Sequence, residues 1–142
     1  MEKDLNFLNY MYQNAQMGII GIDNIISKVK GKQLKTLLEK QKVQYEEICN
    51  EAIDLLNQEE ADIKSVKTIA RVSTTFMSNL EFTKDPNDSS IAKMMIEGTN
   101  KGIIEINEKL NNIPNIPKKV KDLAKKLLKT EEKNLEELKK YL

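Results

Sequence analysis

The chain of 142 residues contains no histidine, no tryptophan and a single cysteine, Cys49. Without histidine there is no Ser-His or Cys-His nucleophile pair and no His-Glu-x-x-His zinc helix. A lone cysteine excludes an internal disulfide, and with no imidazole beside it also excludes thiolate clusters and zinc fingers. Cys49 is expected as a small apolar residue of the interior. The five glycines and three prolines form no phosphate-cradling loop, and no stretch alternates with the period of two that marks a strand.

An excess of either charge is also lacking. The 23 Lys and Arg residues face 22 Asp and Glu, a net charge of +1, so no global field draws the molecule to nucleic acid or to an acidic membrane. The segment from Lys118 to Lys140 is lysine-rich, but its acids are interleaved as on ordinary solvated helices, and nucleic acid is not an expected partner. Nowhere do about 18 apolar residues follow one another, so no transmembrane segment is expected. The opening "MEKDLNFLNY" has no apolar run behind a basic end. A soluble, cytoplasmic protein is the expectation.

What is present is helical periodicity. Apolar residues recur at alternating steps of three and four through Leu5, Leu8, Tyr12, Ala15, Ile19, Ile22, Ile26 and Val29. After "KGK" around Gly31 a second stripe runs through Leu34, Leu38, Gln41, Tyr45, Ile48, Ala52 and Leu55. A third holds Ala92, Ile96, Thr99, Ile103, Ile106, Leu110 and Ile113, behind Asp and Ser capping candidates at 88 to 90. Beyond "NNIPNIPKK", with Pro117 placed early in the helix, a fourth holds Ala124, Leu128, Glu131, Leu135, Leu138 and Leu142. Helices are predicted over about 3–29, 32–57, 89–112 and 117–141 within one domain, 1–142. A crossover over about 58–88 carries a short helix near 63–71.

An internal repeat ties the segments together. "MGIIGI" (17 to 22) falls on "KGIIEI" (101 to 106) at a shift of 84, and "LLEKQKVQYEEI" (37 to 48) on "LLKTEEKNLEEL" (127 to 138) at a shift of 90. Two related helical hairpins joined by one long connection predict an all-α four-helix bundle with up-down, crossover, up-down connectivity. That is the ferritin-like arrangement.

The repeat also points to candidate residues. Gly18, Gly21, Gly98 and Gly102 interrupt otherwise good helices, each at a cost of about 1 kcal/mol against alanine. Gly18 and Gly102 are equivalent, and Gly98 lies one turn before Gly102. Small residues at helical spacing would let helices one and three approach closely, or leave a groove for a ligand or partner helix. Di-iron bundles place a Glu on each of two helices and Glu-x-x-His on the other two, all inward. Here the corresponding sites read Gln41-x-x-Gln44 and Glu131-x-x-Asn134, with Gln16 and Asn100 on the remaining helices. Neutral amides hold iron poorly and one carboxylate cannot balance two divalent ions, so no metal and no cofactor is expected. Glu131, if buried, needs a partner such as Gln41, Asn100, Tyr12 or Tyr45. The six extra residues before helix four could set Glu131 and Gln41 at different heights.

With these residues in view, "YMYQNAQMGIIGIDNI", "IAKMMIEGTNKGIIEI" and "EEKNLEELKKYL" make the chain resemble an uncharacterised bacterial branch of the ferritin-like superfamily, over nearly its whole length. The resemblance implies the fold and supplies no activity. The expectation is a non-enzymatic interaction or structural module, a homodimer or part of a larger assembly. Two alternatives stand beside it: a divergent carboxylate-metal or redox protein using Glu131 with Glu97 or partner-chain acids, and a carrier of a small apolar ligand in a cavity lined by Gly18, Gly98 and Gly102.

Overall fold

A computed structural model describes residues 2–61 and 86–142. Four α-helices account for most of them: α1 (Glu2–Ile25), α2 (Lys32–Gln58), α3 (Asp88–Asn112) and α4 (Lys118–Lys139), with a 3-10 turn over Ile26–Lys28 and no strand among the described residues. The short helix expected near 63–71, and most of the expected crossover, lie outside the described residues.

Local chemistry sets the helix ends. The last turn of the first stripe tightens to 3-10 geometry, and the chain turns extended at Val29 (φ −74°, ψ 127°). Gly31 starts α2 with no side chain of its own to cap it, and Asp88 supplies the acceptor instead: its carboxylate takes the Lys30 N–H at 2.9 Å and the Gly31 N–H at 2.7 Å. Close approach is why glycine stands there, since a Cβ on residue 31 would lie 2.6 Å from Asp88 Oδ2. α2 closes with Glu60 in the left-handed region (φ 53°) and the Ala61 N–H returning to the Leu56 carbonyl at 2.9 Å. At α3 the cap is Asn87, one residue ahead of the expected candidates. Its Oδ1 accepts the Ser90 N–H at 2.8 Å while Ser90 Oγ accepts the Asn87 N–H at 3.0 Å.

Cross-helix contacts fix the directions. α1 packs antiparallel along α2 and α3 along α4. Asp88, at the start of α3, is bound at the turn between α1 and α2, while Tyr10, nearer the other end of α1, bonds Glu105. α3 therefore runs antiparallel to α1. The Lys126 Nζ to Glu51 Oε1 bond at 2.7 Å and the proximity of Tyr45 to Glu131 make α4 antiparallel to α2. The second hairpin thus enters at the end where the first one turns, and the order is up, down, down, up, which corrects the expected up-down, crossover, up-down, because α2 ends and α3 starts at opposite ends of the bundle.

The interior follows the stripes. Leu8, Ala15 and Ile22 of α1, Leu34, Leu38, Ile48 and Ala52 of α2, Ala92 and Ile106 of α3, and Ala124 and Leu138 of α4 are all 2% exposed or less. Each such leucine or isoleucine contributes roughly 1.5–3 kcal/mol by leaving water. On α4 the predicted stripe is displaced. Val120, Leu123, Leu127 and Asn134 are buried, Leu128 and Leu135 are half-buried, and Leu142 is 63% exposed. Ala124, Glu131 and Leu138, seven apart, all stay buried, so the face has not drifted; it turns toward the flank of Val120, Leu127 and Asn134 rather than that of Leu128 and Leu135, and Leu142 lies beyond the end of α4.

Candidate functional site

Half-way along the bundle the apolar interior gives way to polar side chains. Gln41 (1% exposed), Glu131 (2%) and Asn134 (1%) are buried outright, together with Tyr45 and Thr99. Gln16 and Gln44 are half-buried at the edges. Asn100 does not take part: it is exposed on α3, and the inward residue of that turn is Thr99, whose hydroxyl donates to the Met95 carbonyl at 2.7 Å. The 84-residue shift places Asn100 opposite Gln16 in sequence, but α1 and α3 turn different flanks toward their neighbours, so equivalent positions see different surroundings.

Tyr45 joins the two hairpins. Its ring crosses the interior over Gly18, and its hydroxyl lies near the side chains of Asn134 and Thr99. Burial, and then the Glu131 carboxylate, hold that hydroxyl far above its ordinary range, so it remains a protonated donor. Glu131 is pushed up to about 8, first by burial and then by the charge of Glu105. At neutral pH it is therefore mainly a neutral acid. Cys49 is a structural thiol: Sγ donates to the Tyr12 carbonyl at 3.7 Å, and burial with Glu46 nearby raises it to about 11.

The glycines serve side chains rather than an approach of helices one and three. A Cβ on Gly18 would stand 2.8–3.1 Å from Tyr45 ring atoms, and one on Gly102 would stand 3.0 Å from Glu131 Oε2 and 3.0 Å from Asn14 Nδ2. Each glycine thus admits a polar residue of its own hairpin into the layer. Gly21 is buried on α1. Gly98 corrects the expectation most directly, being exposed with no atom within 4 Å of a Cβ built on it. The supposed apolar cavity between Gly18, Gly98 and Gly102 is not formed, because polar side chains fill two of its three corners. Gly98 keeps a helical cost without a packing return, so Gly98→Ala is expected to stabilise the protein by about 0.5–1 kcal/mol, read as a higher urea midpoint at unchanged slope.

Six buried polar atoms find no hydrogen-bond partner among the described residues: Gln16 Oε1, Gln41 Oε1 and Nε2, Gln44 Oε1, Glu131 Oε2 and Asn134 Nδ2. The remaining amide group of Gln16 is used, donating to the Tyr12 hydroxyl at 2.8 Å. An unmet buried group costs about 1–3 kcal/mol, and native interiors tolerate few of them. Buried water is the usual partner of such groups.

Three residues of this region carry no signal in the stripes: Tyr10, Asn14 and Glu105. The Tyr10 hydroxyl donates to Glu105 Oε2, and Lys109 Nζ stands 4.4 Å from the Tyr10 ring centroid. All three stand off the apolar stripe, and Asn14 and Glu105 directly precede the stripe residues Ala15 and Ile106. Such flanks face either solvent or a neighbouring helix, and only the packing selects which. Glu97, the other acid weighed from the sequence, is exposed. Among the described residues no three His, Cys, Asp or Glu side chains gather closely enough to hold a metal ion. No helix among them is long and apolar enough to cross a membrane.

No protein-family profile, curated protein or solved structure matches the chain.

Proposed function

We propose that the protein is a ferritin-like helical bundle without enzymatic activity, acting as an interaction or structural module that associates with itself or with a protein partner. One observation carries the reading. At the level where di-metal bundles concentrate carboxylates and imidazoles, this interior offers Gln41, Tyr45, Thr99 and Asn134 around a single fully buried acid, Glu131. The up, down, down, up order of helices, with one long connection between the second and third, supports the ferritin-like part. The outer surface is left as the working part. Met17 (39% exposed), Val43 (54%) and Ile104 (50%) stand in solvent on three different helices, where a partner would cover them.

Size-exclusion chromatography with light scattering at tens of micromolar tests self-association. A dimer or larger species is expected, and a strict monomer that also captures no partner counts against the module. Elemental analysis of untagged protein tests the other half. Iron, manganese and zinc are expected far below one per chain, and a stoichiometric amount of any of them overturns the non-enzymatic reading.

A further inference from the structure

The outer face shared by α2 and α4 carries charge that helix stability does not ask for. From Glu46 to its end α2 has Glu46, Glu47, Glu51 and Asp54 and no lysine or arginine. From its start to Lys129, α4 has one acid, Asp122, among its lysines. Acids toward a helix C-terminus and lysines toward an N-terminus both stand against the macrodipole, so neither strip is explained by its own helix. The strips lie side by side, because Lys126 Nζ meets Glu51 Oε1 at 2.7 Å across the seam. Glu47, Asp54, Lys119 and Lys129 are exposed and make no ion pair among the described residues. A groove of about 350 Å³ runs between the strips, with Leu55 and Leu123 in its lining.

We propose that two copies of the chain meet on this face, about a two-fold axis that runs along the seam parallel to the helices. A rotation of that kind keeps every residue at its level and sets α2 of each copy over α4 of the other. Glu51 is level with Lys126, and the two helices are antiparallel. Counting from that pair, Asp54 comes level with Leu123, between Lys119 and Lys126, and Glu47 comes level with Thr130, beside Lys129. Each copy's acids therefore face the other's lysines. Beyond Val43, which is 54% exposed, the signs change on both helices together, and Lys40 comes level with Glu137. The charges thus match along most of the face, with an apolar side chain where they invert. A face two helices wide and 22 residues long measures about 20 by 33 Å, which approaches the roughly 800 Å² per partner of a standard interface. The inference rests on the self-association reading above and names the surface that carries it.

The test is analytical ultracentrifugation of the wild type, Glu47→Lys and Lys129→Glu over a concentration series. Both substitutions fall on exposed residues, and circular dichroism is expected to show unchanged helix content. Each variant alone is expected to weaken the dimer by about tenfold or more in Kd, because two like-charge contacts replace two ion pairs. An equimolar mixture of the two variants is expected to recover wild-type association, since every contact then joins an acid to a lysine again. A dimer that neither substitution weakens, or a mixture no tighter than the variants alone, overturns this face and leaves self-association standing. A wild type that stays monomeric throughout overturns both.

Discussion

Glu131→Gln is expected to remove most of the pH dependence of stability and to leave the variant more stable than the wild type at pH 9. The folded protein holds the Glu131 carboxyl at about 8, against 4.5 for an unperturbed side chain. Between those values the folded state keeps a proton that the unfolded state has released. Because the folded state binds more protons there, stability falls as pH rises from about 4.5, and the loss is complete above about 8. At about 1.4 kcal/mol per pKa unit, the wild type should lose roughly 3–5 kcal/mol between pH 5 and pH 9. Glutamine fills the same space and never ionises, so its curve over that window should be nearly flat. Urea unfolding followed by far-ultraviolet circular dichroism across the range measures both. A wild-type curve as flat as the variant's would show that Glu131 is not held neutral by its surroundings.

Gly18→Ala is expected to destabilise the protein by about 1–2 kcal/mol, although alanine is the better helix former by about 1 kcal/mol. The new methyl carbon would fall 2.8 and 2.9 Å from two carbons of the Tyr45 ring. That ring is 4% exposed, so it cannot swing aside without displacing the side chains packed around it. Overpacking of this kind costs about 1–3 kcal/mol. The opposite signs expected at Gly18 and Gly98 would separate a glycine held by packing from one that is not. In a Tyr45→Leu background the obstacle is gone, and Gly18→Ala should become neutral or stabilising. Equal destabilisation in both backgrounds would mean that Tyr45 is not what the glycine accommodates.

Much of the fold is legible in the sequence because helical burial is a local, periodic property. The stripe from Leu5 to Val29 names the buried face of α1, and the one from Leu34 to Leu55 that of α2, because side chains three and four apart share a face whatever they pack against. The punctuation at Gly31 and at "NNIPNIPKK" separates each pair of helices for equally local reasons. The displacement on α4 is a choice between two flanks: Ala124, Glu131 and Leu138 hold the centre of the face, and the packing buries Leu127 and Asn134 beside them rather than Leu128 and Leu135.

The candidate site was legible only in part, along the same division. Gln41, Glu131 and Asn134 could be found because polar residues on or beside an apolar stripe are forced inward with it. Asn100 and Gly98 are expected in the interior and stand exposed, while Tyr10, Asn14 and Glu105 are not picked out, because each stands on a flank, and a flank is buried or exposed according to where the next helix lies. The sequence by itself determined four helices, most of their inward faces and the polar residues Gln41, Glu131 and Asn134 that interrupt them. Only the tertiary structure decided that the Tyr45 ring lies over Gly18, that Gly102 admits the carboxyl of Glu131, and that burial, with the charge of Glu105 second to it, pushes that carboxyl up. Helical period is set by bonds between neighbours in the chain, whereas desolvation and charge coupling depend on distances between residues that the chain separates by 26 positions or more.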